Sequence, residues 1–399
     1  MNNSTIKLTT HDVFESIWLD NLYPNLNTID QTTNWISSQD IQTERSLMCL
    51  ELEEQFVECV ATSKKPPFKF SKSMTGSTLI DKKLSPLGKL YYDLLSIQYG
   101  NSINSAPICP AIFRTRNCNN QEKYEESECS KILHAVAGKL NLNQAYFSYD
   151  PMSRIGIQGI HEGELIDNLA THLQVAIKRP SFQSKLNARK DESSKNFTDT
   201  KRYIARLLKN NPYLYGVRMT LCYSGNETKQ ISLKKSDDHL KTFLKIFKTP
   251  TSPDSPVGWW CKREYTTETG YCYNLIIFFD RQKTPYNPMV RHDIYSPHWH
   301  SATEGQGAYF IPPVPEKDYM GLKTGLLCQG NDDNVESLLL TMQCMVMRDN
   351  ILRLKRSADY PHIAMGTMPK LENITSPIRF VVPKSLGYIT PPAQSYLSY

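Results

Sequence analysis

Apolar positions in the first 180 residues fall three and four apart, the spacing of a stripe along a helix. Over residues 10–23 they are Phe14, Ile17, Trp18 and Leu22, with Thr10 placed to cap the first turn and Pro24 just past the last. A second helix is expected over 44–62, turning Leu47, Leu50, Phe56, Val57 and Val60 toward a core. The pair Ser85-Pro86 opens a third, because proline in the first turn gives up an N–H that has no helical partner there. Its apolar face is Leu87, Leu90, Leu94 and Leu95. Shorter helices fit 130–140 and 164–177, while the Pro-containing stretches 64–70 and 101–128 read as loops.

Past residue 180 the period changes. A polar, charged stretch over 181–196 is expected to cross to a second domain, and 201–209 fits a basic helix ending before Asn211-Pro212. Residues 213–223, YLYGVRMTLCY, then alternate, with Val217, Met219 and Leu221 against Arg218, Thr220 and Cys222. A helix capped by Ser236 runs to Phe247. The stretch GWWCKREYTTETGYCYNLIIFFD, from Gly258 to Asp280, reads as two strands, 259–265 and 271–279, joined by a turn in which Gly270 can take a positive φ. Alternation puts Cys272, Asn274, Ile276 and Phe278 on one face of the second strand, so two polar side chains share the start of an apolar face. Strand, helix, strand, strand is the order of an α+β fold, with an antiparallel sheet backed by helices and one face left for a ligand. The domains expected are a mainly helical one over 1–180, a sheet domain over 181–370, and an extended tail over 371–399 with Pro377, Pro383, Pro391 and Pro392.

Composition changes this picture in three ways. No run of eighteen apolar residues occurs and the first residues lack a secretory core, so a cytoplasmic protein with no membrane partner is expected. The ten cysteines form no CxxC pair, and several sit in apolar patterns, which suits small buried thiols; Cys109, Cys118 and Cys129 are too widely spaced for a usual zinc site. Between Lys178 and Lys209 ten Lys and Arg stand against three Asp and Glu, a local excess larger than the net charge of +6. Clustered positive charge is the footprint of a phosphate-binding surface, and Lys201, Arg202, Arg206 and Lys209 are its candidate contacts.

The run KREYTTETGYCYNLIIFFD resembles the central hairpin of the inovirus gene-2-product replication proteins, rolling-circle initiators within the HUH endonuclease class. The resemblance extends over about 182–370. Trp299, Thr303, Gly305, Gln306, Gly307, Tyr309 and Phe310 look like that family's W…T.GQG.YF segment, RDNILRLK (348–355) like its KDQYLRIK-like stretch, and MGTMPK (365–370) like the end of its domain. It implies a palm-like antiparallel sheet, DNA as partner (single-stranded or hairpin), a phage or other mobile element as source, and metal-assisted nicking by a tyrosine nucleophile.

Here the sequence departs from the pattern. Glu264 keeps the acidic position, but Cys272 and Asn274 stand where the family has its two histidines. The tyrosine position falls on Cys344 and the lysine near Met347, with Arg348 beside it. A thiol and an amide make a poor pair for Mg²⁺ or Mn²⁺. The resemblance therefore implies a DNA-binding protein that has lost its nicking chemistry and needs no cofactor, with Arg218 and Arg348 beside the degenerate site as further contacts. Two other readings stand beside it. One is an active nickase using a divalent cation, His298 and His300 of the His-Trp-His triplet, and a relocated tyrosine. The other is a prophage-type regulatory protein that meets a protein partner through the N-terminal domain or the tail. On the first reading Arg218, Glu264, Cys272 and Asn274 should line an exposed groove bordered by Trp259, Trp260 and Trp299.

Overall fold

The computed structural model describes residues 38–72, 78–81, 85–96, 124–142, 150–155, 160–224, 230–247, 255–266, 270–283, 292–310, 326–328, 332–355 and 361–367. The helix expected at 10–23 and the tail at 371–399 lie outside these.

The first core is helical. Helix α1 (Ser38–Thr62) is followed by a small ribbon, β1 (Lys69–Lys72) with β2 (Thr78–Asp81), and by α2 (Pro86–Ser96), which starts at the expected proline. After β3 (Tyr124–Glu126) come α3 (Glu128–Lys139), a short ribbon of β4 (Arg154–Ile155) with β5 (Ile160–His161), and α4 (Glu162–Ile177). Phe56, Val57, Val60, Leu87, Tyr91, Leu133, Leu169 and Leu173 bury together among these elements. Helix α3 begins earlier than expected because Ser127 is its cap and accepts the Ser130 N–H. Ser130 lies inside the helix and donates to Glu53 of α1 at 2.5 Å.

Residues 181–196 are not a linker. They are the first half of one unbroken helix, α5 (Pro180–Asn210), with the proline at its start. Phe182 packs in the first core, and Phe197, Tyr203, Ile204, Leu207 and Leu208 pack in a core under the sheet. The crossing between the two halves is therefore rigid.

The sheet is antiparallel throughout, in the order β10 (Leu326–Cys328), β6 (Tyr213–Tyr223), β8 (Gly270–Asp280), β7 (Gly258–Thr266), β12 (Ile363–Met365), with β9 (Gly307–Phe310) also pairing β6. The β7–β8 hairpin has the expected register, Tyr265 opposite Tyr271, and Gly270 takes φ 68°. All of β8 is buried. Its odd positions, Tyr273, Leu275, Ile277 and Phe279, pack against α6 (Leu233–Leu244) and α7 (His292–Ala302). Ile276 and Phe278 pack against α5 and α8 (Asp332–Met347). Both faces are thus covered, where one open face was expected. Helix α6 is capped by Ser232; Ser236, the expected cap, is buried inside it, 2.6 Å from the Tyr273 hydroxyl.

The His-Trp-His triplet lies on α7, so its members turn to different sides. His298 and His300 are exposed, while Trp299 is fully buried, donates its ring N–H to the Cys222 carbonyl at 2.8 Å and packs edge-on to Phe243 and Tyr273. Trp299→Ala should therefore cost about 3–5 kcal/mol, and His298→Ala no more than about 0.5 kcal/mol. Urea denaturation of the two variants checks this; equal shifts in midpoint would remove Trp299 from the core of that face.

Candidate functional site

Asn274 sits in the middle of the sheet, opposite Thr220 of β6 on one side and Lys262 of β7 on the other. Glu264 lies opposite Cys272, and Arg218 opposite Ile276. Period-two alternation brings Arg218, Thr220, Lys262, Glu264, Cys272 and Asn274 to one face, the convergence expected from the sequence.

These side chains bond to one another. The Asn274 carbonyl oxygen accepts from Arg218 Nη2 at 3.1 Å and from Thr220 Oγ1 at 3.0 Å, which fixes its amide orientation. Asn274 Nδ2 then donates to Glu264 Oε2 at 2.7 Å. The other Glu264 oxygen receives Arg348 Nη1 at 2.9 Å, with Lys262 Nζ at 3.5 Å. Lys262 also pairs with Asp349 at 3.1 Å and donates to the Met345 carbonyl near the end of α8. Asp349 reaches His362 Nδ1 at 3.3 Å, and its own carbonyl accepts from Arg189 of α5 at 2.6 Å. Burial pushes the Asp349 carboxyl up, but Lys262 and His362 outweigh it and hold the group at about 2.

Helix α8 and the 3-10 turn after it (Arg348–Asn350) seal this face. Arg218, Lys262 and Asn274 are each 2 % exposed, and Cys272 is 4 %. Cys344 is also buried on α8, and Met347 is half-buried. The exposed groove is not there: Arg218 and Arg348, expected at a DNA surface, are interior groups held by Asn274 and Glu264. Trp260 and Trp299 are core residues and Trp259 packs half-buried against the core that β8 forms with α6 and α7, so none of them borders a cleft on this face.

The oxygens that would serve a divalent cation here already accept hydrogen bonds from Arg218, Thr220, Asn274 and Arg348. Two of those donors are cationic, and the Lys262 ammonium stands beside them. Cys272 and Asn274 therefore do not fit a hard metal ion in this arrangement. Among the described residues no group of three or more His, Cys, Asp or Glu is arranged to hold a metal ion. Of the loose cysteine group, Cys109 and Cys118 lie outside the described residues and Cys129 is buried in the first core.

The basic helix is the C-terminal half of α5. Arg202 and Lys209 are exposed and Arg206 is half-exposed. Lys201 turns away from them, its ammonium 5.8 Å from the centre of the Phe197 ring. No helix among the described residues is long and apolar enough to cross a membrane.

Sequence reading missed Lys262, Asp349 and His362. The first was legible, since it stands two residues before Glu264 on the same strand face. Asp349 follows Arg348, which the resemblance already placed beside the site; His362 was not legible, because nothing in its local pattern brings it beside 349. Comparison with protein families, with curated proteins and with solved structures finds no match for the chain.

Lys262→Met would take the ammonium from the buried Asp349 carboxylate, while Glu264 keeps Arg348, so it should cost about 3–5 kcal/mol at neutral pH. Asp349 also sets an acid limb. A carboxyl held below its ordinary 3.8 stabilises the fold above that value and loses its contribution as pH falls toward about 2. In the wild type this limb should be worth roughly 2 kcal/mol between pH 4 and 2, and Asp349→Asn should lack it. Urea midpoints measured across that range check both; a limb unchanged in Asp349→Asn would contradict the pairing.

Proposed function

We propose that this protein is a rolling-circle-initiator-like scaffold of phage or mobile-element type that binds DNA without cutting it. The observation that carries the reading is the saturation of Glu264 and Asn274. Where the resemblance calls for a metal ion and an attacking hydroxyl, the chain supplies its own cations, Arg348, Lys262 and Arg218, and closes the place with α8. A group whose lone pairs are already engaged by buried donors has to lose those bonds before it can ligate anything. DNA contact then belongs to the outer surface, where α5 carries its charge, and not to the sheet. The reading needs neither Mg²⁺ nor Mn²⁺. The nickase alternative draws on His298 and His300, which are solvent-facing positions on α7.

Incubation with single-stranded and hairpin DNA in Mg²⁺ or Mn²⁺ should give salt-sensitive binding, no cleavage and no covalent protein–DNA adduct. An adduct that disappears when one tyrosine is changed to Phe would revive the nickase. Absence of DNA binding at low salt would favour the protein-partner reading instead.

A further inference from the structure

The buried side of α5 past residue 195 is Phe197, Thr200, Tyr203, Ile204, Leu207 and Leu208. On the opposite side Asp191, Lys195, Thr198, Arg202, Ala205 and Lys209 are all exposed. They follow one another by four and three residues, the ridge that runs straight along a helix. Three of them, Lys195, Arg202 and Lys209, are cations seven residues apart, and Arg206 flanks the row. At about 1.5 Å rise per residue, neighbouring cations stand about 10.5 Å apart and the row is about 21 Å long. The acidic groups beside it are Asp191 at its start and Asp199, which pairs with Arg202 at 2.8 Å. That pair is exposed, and a surface ion pair is weak enough for a phosphate to replace.

Resting on the DNA-binding reading above, we propose that this ridge is the docking face and that its partner is duplex DNA, held through its phosphates. Two observations carry the duplex. The helix is rigid, bonded along its length and packed on both cores, so the cations keep a fixed spacing. That spacing is close to the width of a major groove, about 12 Å, so successive cations can meet phosphates on opposite rims. A single strand has no such fixed rims, and of the tryptophans that would have stacked its bases Trp260 and Trp299 are fully buried and Trp259 packs half-buried against the core. Contacts of this kind position a protein on DNA without reading sequence.

The test measures binding of a duplex of about 20 base pairs, and of one of its strands alone, across a salt series. The full chain is compared with Lys195→Ala/Arg202→Ala/Lys209→Ala and with Lys185→Ala/Lys190→Ala, which removes two exposed cations of α5 lying off the ridge. Circular dichroism checks that both variants are folded. The wild type should prefer the duplex. The ridge variant should bind it more weakly at every salt concentration, its log–log slope flatter by about 0.9 per lost contact. The off-ridge variant should keep the wild-type slope. DNA binding with an unchanged slope in the ridge variant, or with the single strand preferred, overturns the proposal and leaves the DNA-binding reading standing. Absence of salt-sensitive binding to either DNA overturns both.

Discussion

An ammonium taken out of water has to be met by opposite charge and hydrogen-bond acceptors, or the fold that buries it is not stable. Lys262, 2 % exposed in the middle of the sheet, imposes that condition on the second half of the molecule. Three groups satisfy it: Glu264 on the same strand, and, from one continuous segment, the Met345 carbonyl near the end of α8 and Asp349 in the turn after it. The Met345 contact also sets a cation at the negative end of a helix, where it is favourable. These contacts tie the end of α8 and the turn after it to the sheet, beside the Arg348–Glu264 pair.

What could be read in the sequence is what alternation controls. The strands at 213–223 and 258–280 and the alternation within each depend on period two, and the hairpin register on one glycine turn, while the pairing of 213–223 beside the hairpin was an expectation of the resemblance. What could not be read is what lies over that face. The apolar side of α8 has a helical period whether it packs on a sheet or faces a groove, so the closing of the site is invisible locally. The polar composition of 181–196 was misleading in another way. A helix that bridges two cores buries a narrow stripe and exposes the rest, so its average character is that of a linker. Ser130 and Ser236 show the same limit on a smaller scale: a serine near a helix start can cap it or hydrogen-bond inside it, and tertiary contact decides which.

The two faces of α5 differ in character, one apolar and packed, the other charged and exposed. Its inner side joins the first core to the sheet, and its outer side exposes Lys195, Arg202 and Lys209 in one row. The sheet face, which the resemblance would make the business end, is occupied with holding the protein together.

The strand β3 has a consequence for how the chain folds. It belongs by sequence to the helical half, yet it pairs with β11 (Leu352–Leu354), and the Tyr124 hydroxyl donates to the Tyr265 carbonyl and accepts from the Tyr265 N–H, 141 residues away. Arg189 fastens the same ribbon through the carbonyls of Glu125 and Glu126. Closing so long a loop costs chain entropy, which these contacts have to offset. A fragment beginning at 181 would carry β11 as an unpaired edge and Arg189 without those acceptors. The boundary between the halves therefore marks a change of architecture along the chain and not a place where it can be divided.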